Sequence, residues 1–428
     1  MSHGKANIRL LPPINHPVEA TFISSDQEGG NIKMSPVLDS IIMSVNQLKR
    51  WTALILYVAS ILSLNVSAVE SDEMRSQVSR LIQRGTTWLE SSQNQAGWWS
   101  TADHPAVTGL ALVAMKGDPS GLFESNEHPA IKNALKYIDS CYHEDGGIYR
   151  INLITYNTAI CLMSMVAAGD PSLDERILKS REYLIGMQSD FGDKGVMDHP
   201  MDGGIGYGSK YDHSDMGNTL QALEALHYSQ HLAQDQSSAK NQKLDFKAAI
   251  QFLQNCQNLT SVNKQDWVSD DETNRGGFIY YPGLSKAGEY KDPLTGRVAL
   301  RSYGSISYGG MLGYAYAKLG KESPQVQAVL GWLKANYTLE ENPAMGLQGL
   351  FYYYHTMAKA LTAYGVDTLQ LKNGETVDWR KKLVNRLASL QNEDGSWINE
   401  NGRWWERDPA LVTSYAVLAL EKIYYSLD

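Results

Sequence analysis

From position 70 onward the chain alternates two kinds of helical stretch. One kind is amphipathic: in 379–391, Trp379, Leu383, Val384, Leu387 and Leu390 share a face, with Arg380, Lys381, Lys382 and Asn385 opposite. The other kind is small and apolar nearly all round, as in Ala106-Val107-Thr108-Gly109-Leu110-Ala111-Leu112-Val113-Ala114. A helix polar on one face belongs outside a fold, and one without a polar face belongs inside. A glycine-rich turn joins each pair. Amphipathic stretches fall at 73–93, 131–141, 175–188, 246–257, 325–337 and 379–391. The apolar stretches that follow them fall at 105–115, 156–167, 218–229, 305–319, 354–364 and 411–425. Marker glycines at 97, 147, 204, 277, 346 and 395 are 49 to 73 residues apart, too far and too irregular for HEAT or TPR repeats. Six outer and six inner helices predict an all-α (α/α)6 toroid over 69–428, closed on itself with no free end to cap.

The first 68 residues follow a different pattern. Residues 1–42 contain Pro12-Pro13 and Gly29-Gly30 and no helical period, and are expected to be unstructured or a mis-assigned extension, with Met43 an alternative start. The continuous apolar run at 51–64 follows Lys49-Arg50 and ends in Asn65-Val66-Ser67-Ala68. Fourteen residues at 1.5 Å per residue span about 21 Å, short of a hydrocarbon core of about 30 Å. Charged start, short apolar middle and small-residue end predict a signal peptide over 43–68, cleaved after Ala68, and export to the periplasm or the exterior. An uncleaved anchor at 51–64 is the alternative.

Composition narrows the function classes. The chain has 428 residues, 38 basic and 47 acidic side chains and a formal charge of −9, without a basic block, which argues against nucleic acid as a partner. Cys141, Cys161 and Cys256 are odd in number and lack CxxC spacing, so neither a disulfide framework nor a cysteine-rich zinc site is expected. Twenty-four tyrosines and ten tryptophans against seven phenylalanines favour the rim of a pocket over a dry core.

The turn Gln391-Asn392-Glu393-Asp394-Gly395-Ser396-Trp397, with weaker copies at Gln188 and at Gln93-Asn94-Gln95-Ala96-Gly97-Trp98, resembles the QW repeat of squalene–hopene cyclases. The resemblance covers about 75–425 and implies a single-toroid relative of terpenoid cyclases and protein prenyltransferase β subunits. It therefore implies an isoprenoid or other apolar lipid as ligand, with a membrane surface as a further contact and cyclase- or prenyltransferase-type activity. Two rivals stay open: a non-catalytic binding toroid, and a carbohydrate-active α/α barrel. The family's protonating Asp-x-Asp-Asp motif is nearest matched by Asp212-His213-Ser214-Asp215, which has Ser214 where the donor stands. Tyr353-Tyr354-His355-Thr356 resembles the histidine segment of the prenyltransferase zinc site, but its Asp and Cys ligands have no counterpart. His227 and His231 are four apart on a helix without an acidic third ligand, and the Asp- and Gly-rich loop 190–215 lacks EF-hand spacing. No metal and no cofactor is expected.

Function is expected where the inner helices begin, because every repeat aims that end at one opening. His355 and Asp215, with Asp212 and Asp408 in reserve, are the candidate acid–base residues. A carboxylate beside an imidazole would raise its pKa and fix its tautomer. Tyr354, Tyr308, Tyr156, His104, Trp404 and Asn218 are the candidate ligand-binding residues. Simple capping of helix N-termini is the competing role for the polar ones.

Overall fold

The computed structural model describes residues 71–208, 213–234 and 243–427. The expected unstructured stretch 1–42, the expected signal peptide with its cleavage point at Ala68, and Asp212 lie outside these residues. From Val78 on the chain forms one compact unit. Among the described residues no helix is long and apolar enough to cross a membrane.

The outer helices are α1 (71–92), α3 (Pro129–Asp139), α5 (Asp174–Gly186), α8 (Phe246–Asn255), α10 (Pro324–Ala335) and α12 (Trp379–Leu390). The inner helices are α2 (Pro105–Lys116), α4 (Ile154–Ala168), α6 (Met216–Tyr228), α9 (Gly304–Tyr316), α11 (Leu350–Ala363) and α13 (Pro409–Tyr424). A short helix, α7 (Gln230–Gln234), extends α6. Each inner helix packs on the inner helices before and after it, and α13 packs on α2, so the inner ring closes. The chain is an all-α toroid of six hairpins. Two small antiparallel hairpins sit in the connections: β1 (Glu289–Lys291) with β2 (Val298–Leu300), and β3 (Leu369–Gln370) with β4 (Thr376–Val377).

The turns explain how neighbouring hairpins lock. Gln93, Gln188, Gln257 and Gln391 each follow an outer helix, and each Nε2 donates twice. One bond goes to the carbonyl of its own turn glycine: Gly97, Gly203, Gly276 and Gly395, at 2.9–3.1 Å. The other goes to a carbonyl at the next outer helix: Ala130, Asp245, Gln325 and Leu81, at 2.9–3.1 Å. The last bond ties the sixth hairpin to the first. The glycine is required because the backbones nearly touch. At φ +97, a Cβ on Gly395 would fall 2.5 Å from the Arg84 carbonyl oxygen. In the paired glycines it is Gly146, Gly203 and Gly276 that are left-handed, not the markers 147, 204 and 277 one residue on. The fifth hairpin departs from the rule: Gly346 is left-handed, but the space around its missing Cβ is open.

A hydroxyl on the inner helix completes five of the six turns, all but that of the fifth hairpin. Thr108, Thr158, Thr219, Ser307 and Thr413 accept hydrogen bonds from the backbone N–H of Trp99, Ile148, Ile205, Phe278 and Trp397, at 2.8–3.2 Å. These otherwise apolar helices thus spend their few hydroxyls on the turns that aim them. Their N-termini all reach the same end of the ring.

Candidate functional site

At that end lies a cavity of about 410 Å³, to which the starts of all six inner helices contribute. Its size is that of an ordinary small-molecule site. Ala106, Val107, Leu153, Ile306 and Leu411 give it an aliphatic lining, and Tyr156, Tyr207, Tyr280, Tyr303, Tyr352, Tyr415, Trp404 and Trp405 an aromatic one. His104, Asn157, Asn218, Lys286 and Glu406 are among the polar side chains that reach it. Glu406 is the one carboxylate of this lining among the described residues.

Helix N-termini leave N–H groups unpaired, and a cavity ringed by six of them needs partners. Asp215 caps α6, accepting from Asn218 N–H at 2.9 Å, and Asp408 caps α13, accepting from Ala410 N–H at 2.9 Å. Other starts borrow caps from elsewhere in the ring. The side-chain oxygen of Asn157 on α4 accepts from Ala106 N–H at the start of α2, and that of Asn342 accepts from Ser305 N–H at the start of α9. The Tyr207 carbonyl takes Thr155 N–H at the start of α4. The start of α11 is served by Glu406, whose Oε1 accepts from Tyr352 N–H at 2.8 Å and Oε2 from Phe351 N–H at 3.2 Å. Asn399 donates a third bond to Oε2 at 2.6 Å.

The electrostatics follow from burial. Desolvation pushes the Glu406 carboxyl up to about 7, against the pull of its hydrogen bonds from Asn399 and the backbone. Burial likewise raises Asp215, opposed by its bonds to Asn218 and by nearby His213. The Tyr280 hydroxyl, which also holds Asp215 down, donates to the Tyr207 hydroxyl at 3.3 Å, so two phenols stand between the buried acid and the cavity. Burial lowers His104, with Asp103 opposing. Its Nδ1 has no hydrogen-bond partner, and its ring packs on Trp405 at 4.7 Å.

Of the residues expected from the sequence, His104, Tyr156, Asn218 and Trp404 reach the cavity. Asp215 stands behind its wall, and Asp408 acts as a cap. Tyr354 is displaced by register: α11 starts at Leu350, so Tyr352 faces the lumen and Tyr354, about 200° further round, faces away. Its hydroxyl donates to the Leu339 carbonyl and meets Arg386. Tyr308 is fully buried against Tyr353, ring centroids 5.6 Å apart, and Tyr303 one turn earlier takes the cavity position.

His355 also departs from expectation. It lies one turn below Tyr352, stacked on Tyr415 at 5.4 Å under the cavity floor. Burial and the charges of Lys359 and Lys422 hold its imidazole well below the usual histidine range. The expected pair with Asp215, which would raise it, is not formed: Asp215 is engaged with Asn218 instead. Beneath His355 the lumen is closed by a buried ion pair between Lys359 of α11 and Glu224 of α6. His227 packs on Tyr228 and Tyr316, and His231 on the Tyr228 carbonyl, so the two do not converge. Among the described residues no group of three His, Cys, Asp or Glu side chains could hold a metal ion.

Glu406 was not legible as a site residue. It caps a helix 55 residues earlier from a loop, and no local spacing marks that bond.

No protein-family model and no curated protein matches the sequence. Among solved structures, the chain is similar to the type II terpene cyclase MstE from Scytonema (TM-score 0.48, 13% identity, 82% of this chain and 99% of that one). It is also similar to the GH76 α-mannanase BT2949 of Bacteroides thetaiotaomicron (TM-score 0.50, 12% identity, 81% of this chain and 96% of that one). At such identity the likeness to the mannanase bears on the fold alone.

Proposed function

We propose that the toroid binds an isoprenoid or similar apolar small molecule in the cavity at the inner-helix starts. The observation that carries this reading is the lining: aliphatic side chains and aromatic rings surround an open volume of about 410 Å³. Burying a ligand's methylene groups there is worth about 0.8 kcal/mol each, and the rings also suit positive charge. A scaffold would fill its lumen with side chains. A glycosidase of the usual kind needs two carboxyl groups about 5–9.5 Å apart across the cleft; Glu406 has no such partner among the described lining residues.

The chemistry the cavity offers is acid–base exchange of ordinary strength. Glu406, at about 7, exchanges its proton near neutrality, and the His104 Nδ1 is unoccupied. An acid with a raised pKa is a weaker donor than an ordinary carboxylic acid. It suits proton transfer to or from a heteroatom on the ligand, not protonation of an unactivated alkene. Export after cleavage near Ala68 completes the reading, and mass spectrometry of the mature protein should then find an N-terminus at Val69.

Lipid extraction of the purified protein, read by mass spectrometry, tests the binding. The expected result is a polyene recovered in near-equal molar amount from wild type and absent from Val107→Trp, which fills the cavity. An empty extract combined with failure of added geranylgeraniol to bind would end this reading.

A further inference from the structure

The segment 402–407 is exposed except at one residue. Gly402, Arg403, Trp404, Trp405 and Arg407 are exposed, whereas Glu406 is 1% exposed. Trp404 and Trp405 line the cavity yet remain 40% and 46% exposed. Both hold left-handed backbone conformations, φ 54° and 67°, which non-glycine residues adopt only when surroundings impose them. Bonds within the segment, such as Asn399 N–H to the Glu406 carbonyl and Arg407 Nε to the Glu400 carbonyl, both 2.9 Å, hold its shape, and its ties to the rest of the ring are few. Glu406 accepts from Phe351 N–H and Tyr352 N–H, and Asn399 ties Glu406 to the Leu347 carbonyl. Trp404 lies over Gly349, where a Cβ would come within 3.1 Å of the indole.

We propose that residues 399–408 are a gate over the cavity, latched shut by the Glu406 carboxyl group on the N-terminus of α11. This deepens the ligand-binding reading, on which it rests for its purpose but not for its test. Glu406 holds the helix N–H groups with both oxygens, and because burial outweighs those bonds the closed site keeps its proton more tightly than open water would, so protonation favours the latched state. The latched carboxyl titrates at about 7, so the gate loosens as pH rises through neutrality, where closing it requires burying the ionised form. Around it stand the phenols of Tyr354 on α11 and Tyr415 on α13, and the His104 imidazole at the start of α2, behind Trp405. On its own segment are Arg403, Arg407 and Asp408, and Lys286 reaches the cavity from the connection before β1. Among the described residues none of them forms an ion pair with Glu406, which leaves its own proton as the control.

Arg403 and Arg407 place two trypsin sites within the gate, so no ligand is needed to test it. At pH 8.5 the wild-type segment should still resist cleavage more than Glu406→Ala, which loses both latch bonds and should be cut there about tenfold faster. Asn399→Ala, which removes the second tie, should fall between them. Hydrogen exchange of residues 399–408 in wild type, corrected for the intrinsic effect of pH, should report more frequent opening at pH 8.5 than at pH 6. In Glu406→Gln that difference should vanish. Equal cleavage of all three proteins, or wild-type opening that does not change with pH, would overturn the gate. If the gate opens as described but geranylgeraniol does not bind, it is the ligand reading that fails.

Discussion

His355 and Glu406 are both buried beside the lumen, and burial drives them in opposite directions along the pH axis. The folded chain keeps His355 neutral below its ordinary value of 6.5, whereas the unfolded chain protonates it. Stability from this residue is therefore complete above about pH 6.5 and lost as pH falls. Glu406 is raised from 4.5 to about 7, so between those values the folded chain holds a proton that the unfolded chain releases. Its contribution is complete below pH 4.5 and lost as pH rises through 7. Relative to wild type, the Tm of His355→Gln should rise as pH is lowered from 7 to 5. That of Glu406→Gln should fall over the same range. Thermal melts in matched buffers check both; curves parallel to wild type would remove the assigned burial. The Lys359–Glu224 pair makes a related case. Losing Lys359 removes the direct partner of the buried Glu224 carboxylate and leaves it only the charge of Lys422, so Lys359→Met should cost about 3 kcal/mol in urea unfolding. The double variant Lys359→Met/Glu224→Leu should recover most of that loss.

Among elements, the turns hold one hairpin to the next. A methyl group on Gly395 meets the Arg84 carbonyl as well as a left-handed backbone, whereas one on Gly346 meets only the backbone. Gly346→Ala should cost about 1–2 kcal/mol, and Gly395→Ala distinctly more, since the sixth hairpin must move off the first. Equal losses in denaturant titrations would mean that the close approach is relaxed without penalty. These turns and helices were readable in the sequence because they repeat. An apolar stripe followed by an apolar helix recurs six times, and helix limits differ from expectation by a few residues. A Gly-Gly pair does not say which member turns left-handed, so the left-handed Gly146, Gly203 and Gly276 stand one residue before the glycines used as spacing markers. The cavity was less legible. Its location followed from the common direction of the inner helices, which brought in Tyr156, His104, Asn218 and Trp404. Tyr354 and His355 required the register of α11 within one turn, and that depends on where the helix starts. Glu406 and Asn157 serve helices other than their own, and a bond between distant segments leaves no periodic trace.

On the scale of the whole molecule, closure of the inner ring by α13 on α2 makes a lumen with two different ends. Toward the C-terminal halves of the inner helices it is closed by the buried Lys359–Glu224 pair, with neutral His355 between that pair and an aromatic floor of Tyr352 and Tyr415. At their N-termini it is open, aliphatic and aromatic, with backbone donors satisfied from within the ring. That asymmetry is why an apolar ligand belongs at one end only. The direct test is calorimetric titration of the purified protein with geranylgeraniol in dilute detergent, alongside Val107→Trp. One saturable site with a negative heat-capacity change is predicted for wild type, and at least tenfold weaker binding, about 1.4 kcal/mol, for the filled cavity. Absence of saturable binding to wild type, or equal binding to both proteins, would contradict the account.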